Sequence, residues 1–440
     1  MMLETIKDII VKSGRASEYR ISQRRKSGLE WYFVKDKLDS ARDVETTLYD
    51  VTVYVDGLAA ADGADGRTRG ECTVLVQPGS AAAEISAIIG RALDTAAGMK
   101  NAWFPLPKPS AWQPIQPASR FDGLTPLQAM EAVRAALYRH DGLDGASINS
   151  LEIFLSCQRQ RLVTSTGVDV AWSSWVGFSE FVVNAGKRGQ DEVELYADLR
   201  FADLDEAQLS EATRRQLAAA RDRLVAVPTP ALSGLPLLLA GKLAADVYEY
   251  WFENAQAMAV YEKRAAFGPG DDVAAGGGDG DLLNLRAVPT LAGSPLGAPY
   301  DLTGFALKPV DLIRDNQVVG LVAASKYAHY LKLPATGAIQ LFELGGGRTL
   351  QAELRQRDHL EVLTFSDFFV DSTTGDFGGE IRLGYLVRDG RRQPVYGGAV
   401  TGNLVENRGR LLLSSEREGT PMALAPTCCL LPAVSVTPGG

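Results

Sequence analysis

Prolines divide the chain into three segments. Five of them lie within fourteen residues, at Pro105, Pro107, Pro109, Pro114 and Pro117. Proline lacks a backbone N–H and fixes φ, so neither a helix nor a central strand continues through such a cluster. A second interruption follows at Pro228 and Pro230. These positions predict an N-terminal α/β segment over residues 1–116, a central α/β segment over 117–226 and a C-terminal β-rich domain over 227–440.

Strand-like and helix-like stretches are mixed in the first segment. Tyr19–Gln23 and Leu29–Val34 predict two strands joined by a turn at Ser27 and Gly28, and Leu48–Val55 predicts a third strand. From Ile85 to Leu93, apolar residues recur at i, i+3, i+4, i+7 and i+8. This spacing predicts an amphipathic helix.

The later segments give further helix signals. The sequence Thr-Pro-Leu-Gln from Thr125 matches a capping box with proline at the first helical position, and it predicts a helix over 126–138. Residues 205–225 predict a polar, alanine-rich helix, and about Leu237 to Ala266 predicts a long one. Residues 282–440 read as short strands and turns. The sequence therefore predicts an α+β fold, with a mixed N-terminal region and a β-rich C-terminal domain.

The charge balance argues against nucleic acid as a partner. The chain carries 45 Lys and Arg against 54 Asp and Glu, a formal net charge of −9. Nucleic-acid binding needs a basic face that neutralises phosphates. The densest basic run, Arg24-Arg25-Lys26, is interpreted as a solvated turn. We therefore predict no nucleic-acid contact.

Membrane and compartment signals point to a cytoplasmic chain. The longest apolar run, Ala231 to Ala245, is interrupted by Pro236 and Lys242 and is too short to span a bilayer. The N-terminus lacks the long apolar region of an export signal. Four cysteines are few for 440 residues. These features predict no membrane partner and a reducing, cytoplasmic compartment with buried thiols.

Motifs for metal binding and nucleophilic catalysis are missing. A zinc site usually needs converging imidazoles or thiolates, yet the three histidines, His140, His329 and His359, are far apart in the sequence. Cys428 and Cys429 lie in an apolar context that raises the pKa of a thiol. No P-loop or nucleophile elbow occurs. The sequence therefore predicts no catalytic, cofactor-binding or metal-binding residue, and favours a partner subunit over a self-sufficient enzyme.

The last third of the sequence contains a series of short motifs that together resemble those of a known family. Pro299 to Gly304 has the form Pro-x-Asp-x-x-Gly, and further motifs follow in a fixed order. They are Thr374-Gly-Asp-Phe377, Gly384-Tyr385, Asp389-Gly390, Pro394-Val395 and Gly402-Asn403. In this order and spacing they resemble the TldD/PmbA family, once named modulators of DNA gyrase.

The resemblance implies a division of labour between two subunits. In this family the TldD-type subunit carries a His-Glu-x-x-x-His helix that binds zinc. The comparable helix here, about Leu239 to Ala255, has Asp246 and Glu249 but no histidine. The chain therefore resembles the TldE/PmbA type, the non-metal subunit of a heterodimeric metallopeptidase. The implied partner is a TldD-type subunit that holds the zinc, and the implied substrates are unfolded or small peptides, including modified precursors.

The same resemblance suggests where a peptide would bind. Thr374, Gly375, Asp376 and Phe377, with the strands beside them, are candidates for one wall of a substrate chamber. Extended peptide would pair there with an exposed strand edge, which needs little side-chain specificity. The alternative interpretation is a turn packed into the domain core.

Two other functions stay open from the residues alone. The chain can be a stand-alone adaptor that binds peptides or proteins and has no peptidase activity. It can also be an enzyme of an unrelated class that uses acids such as Asp246, Glu249 or Asp301, with a metal held by carboxylates.

Overall fold

The computed structural model describes residues 2–58, 66–186, 192–274 and 277–439. Over these residues the chain forms eight α-helices, one short 3₁₀ helix and three β-sheets. The predicted α+β class is therefore confirmed, with a mixed N-terminal region and a β-rich C-terminal one. No helix within the described ranges is long and apolar enough to cross a membrane.

The N-terminal half contains α1 (Met2–Ser13), β1 (Glu18–Val34), β2 (Lys37–Leu58), β3 (Arg67–Val76), α2 (Ala82–Gly98), β4 (Asn101–Ala102), α3 (Pro126–Tyr138), the 3₁₀ turn Leu143–Gly145, β5 (Ala146–Thr164), β6 (Asp169–Gly186), β7 (Glu192–Phe201) and α4 (Glu206–Leu224). The C-terminal half contains β8 (Val227–Pro228), β9 (Leu237–Ala240), α5 (Lys242–Asn254), α6 (Ala257–Tyr261), β10 (Leu285–Val288), β11 (Val310–Arg314), β12 (Gln317–Val318), α7 (Ser325–Leu331), β13 (Leu341–Leu344), α8 (Gln351–Gln356), β14 (His359–Val370), β15 (Asp376–Arg388), β16 (Arg391–Tyr396), β17 (Ala399–Asn403), β18 (Leu412–Leu413), β19 (Arg417–Gly419), β20 (Ala423–Pro426), β21 (Cys428–Leu431) and β22 (Val434–Thr437).

One antiparallel sheet contains strands from both N-terminal segments. Its order is β4-β3-β2-β1-β5-β6-β7. Strand β1, which precedes the proline cluster, pairs with β5, which follows it, from Arg20 opposite Thr164 to Val34 opposite Ser150. The sheet therefore spans residues 1–116 and 117–226, and the prolines lie in the connection between them.

Four helices cover one face of this sheet. Side chains alternate between the faces of a strand, so Tyr19, Ile21, Trp31 and Phe33 of β1 lie on the same side. The first two pack with α1 and α2, and the last two pack with α3 and α4. Each end of the sheet therefore has its own core.

The capped helix forms as its sequence predicts. Helix α3 covers Pro126–Tyr138, and both bonds of the capping box are present. The Thr125 hydroxyl accepts from the Gln128 N–H at 3.3 Å, and the Gln128 side-chain oxygen accepts from the Thr125 N–H at 3.0 Å. Helices α2 and α4 also occupy their predicted positions.

The predicted turn at Ser27 and Gly28 is wrong, because β1 continues through it. Ser27 pairs with Glu45 on one side and with Cys157 on the other. A Cβ at Gly28 would lie 2.2 Å from the carbonyl oxygen of Leu155. The glycine allows a close approach of two strands rather than a change of direction. The basic run Arg24-Arg25-Lys26 therefore lies within a strand, not in a turn.

The long helix predicted over Leu237–Ala266 is also wrong in part. Leu237–Ala240 is strand β9, held between β21 and β14 in a nine-stranded sheet. Its first three leucines are all fully buried, which fits a central strand. Periodicity alone does not separate a short buried strand from a buried helix. Gly241, with φ of 58°, turns the chain from β9 into α5.

The C-terminal half holds two sheets around one core. The smaller sheet has the order β12-β11-β10-β13-β20-β19. The larger has the order β18-β21-β9-β14-β15-β16-β8, with β17 and β22 added beside β15. Strand β14 pairs with β9 only at Leu360 and Glu361. Beyond that point, Thr364, Phe365 and residues 368–370 pair with β15, and no other strand of the described residues pairs with the opposite edge.

The close approach at Gly28 can be tested by stability. Gly28→Ala is expected to lower the free energy of unfolding by about 1–3 kcal/mol, because the added methyl group overpacks against a backbone carbonyl. The matched control is Gly90→Ala in α2, where no atom lies within 4 Å of the added Cβ. It should be stabilising by about 0.5–1 kcal/mol through helix propensity. The measurement is urea unfolding of both variants and of the native chain. If Gly28→Ala is as stable as the native chain, the continuous strand at Gly28 is contradicted.

Candidate functional site

Helix α5 presents three carboxylates to a cleft. Asp246, Glu249 and Glu253 are separated by three and four residues, so they lie on the same side of the helix. The opposite wall is the last part of β14, and the cleft has a volume of about 300 Å³. Its lining residues are Asp246, Glu249, Tyr250, Glu253, Phe368, Val370 and Ser372.

The other face of α5 fixes this orientation. Val247, Tyr248, Trp251 and Phe252 are all at least nine-tenths buried in the C-terminal core. The Phe252 ring stacks on Phe342 with 5.1 Å between the centroids. Because aromatic side chains bury a large apolar area, the helix cannot rotate without losing this contact. The three acids are therefore held facing the cleft.

The carboxylates are only partly compensated. The ammonium group of Lys242 lies 3.1 Å from the carboxylate of Asp246. Within the described residues Glu249 and Glu253 have no ion pair or hydrogen bond from their side chains. Burial, together with the charges of Glu253 and Asp246, raises the pKa of Glu249 to about 7. Burial also raises the pKa of Glu253, against the opposing charge of Arg264.

A buried hydroxyl without a partner lies in the same cleft wall. Tyr250 is 3% exposed, and its hydroxyl has no hydrogen-bond partner among the described residues. Burial raises the pKa of this phenol, so it stays neutral. Buried polar groups are normally hydrogen-bonded, so an unpartnered one is a feature that calls for an explanation.

The four residues predicted to bind substrate lie where the turn after β14 enters β15: Thr374 and Gly375 are in the turn, and Asp376 and Phe377 begin β15. The carboxylate of Asp371 accepts from the N–H groups of Thr373 and Thr374 at 2.7 and 2.9 Å. The hydroxyl of Thr374 donates to Asp376 at 2.8 Å, and Gly375 has φ of 79°. Thr374 and Asp376 are exposed, whereas Gly375 is buried and Phe377 is buried in the core. Their contact with substrate stays a prediction.

A single asparagine fixes this turn next to the cleft. Asn254, at the end of α5, donates from its side-chain amide to the carbonyl of Ser372 and to that of Tyr250, both at 2.8 Å. Its side-chain oxygen accepts from the N–H of Ala266 at 2.5 Å. Ser372 itself lines the cleft. The predicted turn and the acids of α5 are therefore brought together.

The acids considered from the sequence separate into two kinds. Asp246 and Glu249 line the cleft, but Asp301 caps a turn. Its carboxylate accepts from the Thr303 and Phe305 N–H groups at 2.8 and 3.0 Å, and from the Ala338 N–H at 3.0 Å.

Glu253, Tyr250 and Phe368 are not among the residues predicted from the sequence. For the first two, the available signal was their helical spacing from Asp246 and Glu249. For Phe368, no local pattern connected β14 with α5.

The side chains present do not fit a zinc ion. In the part of the chain that the structure describes, no group of three or more His, Cys, Asp or Glu side chains could hold a metal. His359 is fully buried, with its Nδ1 2.7 Å from the carbonyl of Arg357. Cys428 and Cys429 are also fully buried, and burial raises the pKa of the Cys428 thiol to about 11. These thiols are unsuited to nucleophilic chemistry.

The open edge of β14 runs between the acidic cleft and a second cavity. Phe368 and Val370 line the cleft, and Leu363 lines a cavity of about 510 Å³. Phe369, which lies between Phe368 and Val370 in the sequence, is 54% exposed. The second cavity contains the guanidinium groups of Arg214, Arg215, Arg355 and Arg392 and the carboxylates of Asp222, Glu361 and Glu418. An extended peptide bound along this edge would therefore meet charged side chains of the protein at each of its two ends.

The proton on Glu249 predicts a pH-dependent stability. Because its pKa rises to about 7 on folding, the folded chain binds this proton more tightly than the unfolded chain. Stability therefore falls as pH rises from the ordinary glutamate range through 7. Glu249→Gln removes this titration. Its stability gain over the native chain should grow between pH 5 and pH 8 by on the order of 1 kcal/mol, less than the full shift because the group is partly exposed and screened.

The measurement is urea unfolding of both proteins at pH 5 and pH 8. Glu131→Gln, at an exposed position of α3, serves as the matched control. The free energy of unfolding of the control should differ from that of the native chain by the same amount at both pH values. If the effect of Glu249→Gln is also the same at both pH values, the raised pKa of Glu249 is contradicted.

Known proteins resemble this chain in part of its sequence and in its fold. Residues 233–436 match the family model of the PmbA/TldA metallopeptidase C-terminal domain. A search of curated protein sequences gave no match. TldE from Thermococcus kodakarensis has a similar structure, with a TM-score of 0.76 and 14% identity over 99% of this chain and 100% of that one.

Two further solved structures have the same fold. Both were described as proposed modulators of DNA gyrase. The protein from Thermotoga maritima has a TM-score of 0.79 and 16% identity, over 99% of this chain and 100% of that one. The protein from Bacteroides thetaiotaomicron has a TM-score of 0.77 and 15% identity, over 99% and 98%. The fold is thus shared over almost the whole chain, and residues 233–436 match the C-terminal domain of the PmbA/TldA metallopeptidases.

Proposed function

We propose that this chain is the non-metal subunit of a heterodimeric TldD/TldE-type zinc metallopeptidase. The single observation that carries this proposal is the composition of α5. Its cleft-facing side bears three carboxylates and a tyrosine but no imidazole, in a family domain named for metallopeptidase activity. In this proposal the zinc and the hydrolytic chemistry belong to a TldD-type partner. The substrates are unfolded or small peptides, including modified precursors.

The contribution of this chain is a wall that holds extended peptide. Thr364, Phe365 and residues 368–370 pair with β15 on one side, and no described strand pairs with the other side, so the outward backbone groups can bind another strand. Main-chain pairing recognises an extended peptide with little dependence on its side chains. Such tolerance suits a peptidase that degrades unfolded chains. Exposed Phe369 adds an apolar contact along this edge.

We place this assembly in the cytoplasm. All four cysteines are free thiols, and Cys428 and Cys429 lie inside the core. Unpaired cysteines in a chain of this size suit a reducing compartment.

A stand-alone adaptor is the second candidate. The observation that favours it is that the open edge and the cleft both belong to this chain alone. Peptide binding therefore does not by itself require a partner. Peptide cleavage separates the two functions.

Co-expression with the TldD-type protein of the same genome tests the partner proposal. The co-purified pair should cleave an unfolded peptide, and a chelator should abolish the cleavage. Each chain alone should be inactive, because one lacks the metal site and the other lacks the chamber wall. Absence of a complex, or equal cleavage by the partner alone, would leave the adaptor function in its place.

The role of the edge predicts a second result in the pair. Phe369→Ala should lower kcat/KM for peptide cleavage by about fivefold, the effect of losing about 1 kcal/mol of apolar contact. The change should appear mainly in KM, since the side chain contacts substrate rather than the reacting atoms. Leu127→Ala, at a 58% exposed position of α3, is the matched control and should leave both constants unchanged. An unchanged KM in Phe369→Ala would show that substrate does not bind along the edge of β14.

A further inference from the structure

We infer that the seven-stranded sheet carries a binding site for a phosphate monoester, centred on Arg25 and Arg159. The site lies on the helix-covered face, in the gap between the α1–α2 pair and the α3–α4 pair. It shares no residue with the acidic cleft or with the edge of β14, so it goes beyond the proposed function. The phosphate can belong to a free small molecule or to a phosphorylated peptide side chain, because the two arginines would contact only its oxygen atoms.

The two helix pairs leave the middle of this face uncovered. On β1, Ile21 packs with α1 and α2, whereas Trp31 packs with α3 and α4. Between these two positions the same face of the strand presents the side chains of residues 23, 25 and 27. A cavity of about 360 Å³ lies over this part of the sheet, and Arg25 and Arg159 both line it. Both arginines are exposed.

Strand register brings four donor side chains into one row across the gap. Arg25 of β1 lies directly opposite Arg159 of β5, which lies directly opposite Ser173 of β6. On its other side, Arg25 lies opposite Thr47 of β2. Directly opposite residues have their Cβ atoms about 5 Å apart, so the two long guanidinium side chains can reach the same oxyanion. The flanking hydroxyl groups can donate to the substituent that the phosphate carries.

The two central arginines lack a counter-ion. Within the described residues, the side chains of Arg25 and Arg159 have no ion pair or hydrogen bond. Their neighbour Arg161 differs, because its guanidinium group lies 2.8 Å from the carboxylate of Asp169. The acid closest in register is Glu45 of β2, one row away on the same face, and it is not paired with Arg25 in the described part of the chain.

This arrangement is unfavourable for the empty chain. Like charges directly opposite each other on neighbouring strands destabilise a sheet. The chain as a whole is acidic, with a formal net charge of −9, yet no described carboxylate neutralises this pair. An anionic ligand would remove the repulsion and accept charge-assisted hydrogen bonds from both guanidinium groups. The pair therefore fits a ligand site better than a structural contact.

The number of charges selects the class of anion. Two uncompensated guanidinium groups carry two positive charges, and a phosphate monoester carries about 1.5 to 2 negative charges at pH 7. A carboxylate or a sulfate ester carries a single negative charge and would leave one guanidinium group without a counter-ion. The forked donors of arginine also match phosphate oxygens in pairs.

The test is isothermal titration of the full chain at pH 7.5 and low ionic strength, with two esters of the same shape. Methyl phosphate should bind at least about tenfold more tightly than methyl sulfate, the effect of one additional charged hydrogen-bonded contact. Added salt should weaken the binding, because both arginines are exposed. Equal affinity for the two esters would overturn the assignment to phosphate.

A peptide distinguishes the two sources of the phosphate. Acetyl-Ala-Val-phosphoserine-Ala-Val amide is titrated beside the same peptide with serine. Tighter binding of the phosphopeptide than of methyl phosphate would identify a phosphorylated peptide as the ligand. Equal or weaker binding would identify a free small molecule. If neither methyl phosphate nor the phosphopeptide binds, the inference is wrong.

Variants connect the binding with the arginine pair. Arg25→Gln and Arg159→Gln should each weaken binding of the phosphorylated probe at least about tenfold. Each should also raise the urea midpoint of unfolding of the empty chain, because the repulsion between the strands is removed. Loss of binding together with higher stability is a result that a misfolded variant cannot give.

The matched control lies on the opposite face of the same strand. Arg24 is also exposed, but its guanidinium group lies 2.7 Å from the carboxylate of Asp50. Arg24→Gln should therefore keep the affinity for the phosphorylated probe and should not gain stability. Native affinity in Arg25→Gln and Arg159→Gln, or an equal loss in Arg24→Gln, would show that the pair is not the binding site.

Discussion

The burial of β9 and α5 in the C-terminal core is the interaction on which the rest of the cleft depends. Leu237, Leu238 and Leu239 are fully buried between β21 and β14, so the chain enters α5 from the middle of a sheet. The stacked rings of Phe252 and Phe342 then fix the rotation of the helix. Each of these side chains contributes on the order of 1.5–3 kcal/mol by burial. Because the apolar side of α5 is fixed in this way, its polar side must face the cleft.

The open edge of β14 is a surface that a folded protein has to protect, because unpaired strand edges promote aggregation. Here the pairing with β15 shifts register between Val362 and Phe368. Such irregularities twist an edge and disfavour pairing with a second copy of the same sheet. Acidic and arginine-rich cavities lie at its two ends. The irregular register and the charged cavities thus disfavour indiscriminate association along this edge.

The same helix shows how a family fold can keep its shape while its chemistry changes. The core-facing side of α5 is under packing constraints, since a change of volume there disturbs the sheet beneath it. The cleft-facing side contacts little of the protein and can carry different residues. In this chain it carries the carboxylates of Asp246, Glu249 and Glu253. Function must therefore be argued from the site rather than from the fold.

Local patterns in the sequence determined the α+β class, the capped helix Pro126–Tyr138 and the resemblance to the TldD/PmbA family. They failed at Gly28, because a glycine is equally suited to a turn and to a close contact between strands. They also failed at Leu237–Ala240, because a short run of leucines is equally suited to a helix and to a central strand. The sequence placed Asp246 and Glu249 on one helix, but Phe368 lies more than a hundred residues further along the chain. Only the tertiary structure brought β14 beside α5, because the partner of a sheet edge is chosen by long-range burial and not by local propensity.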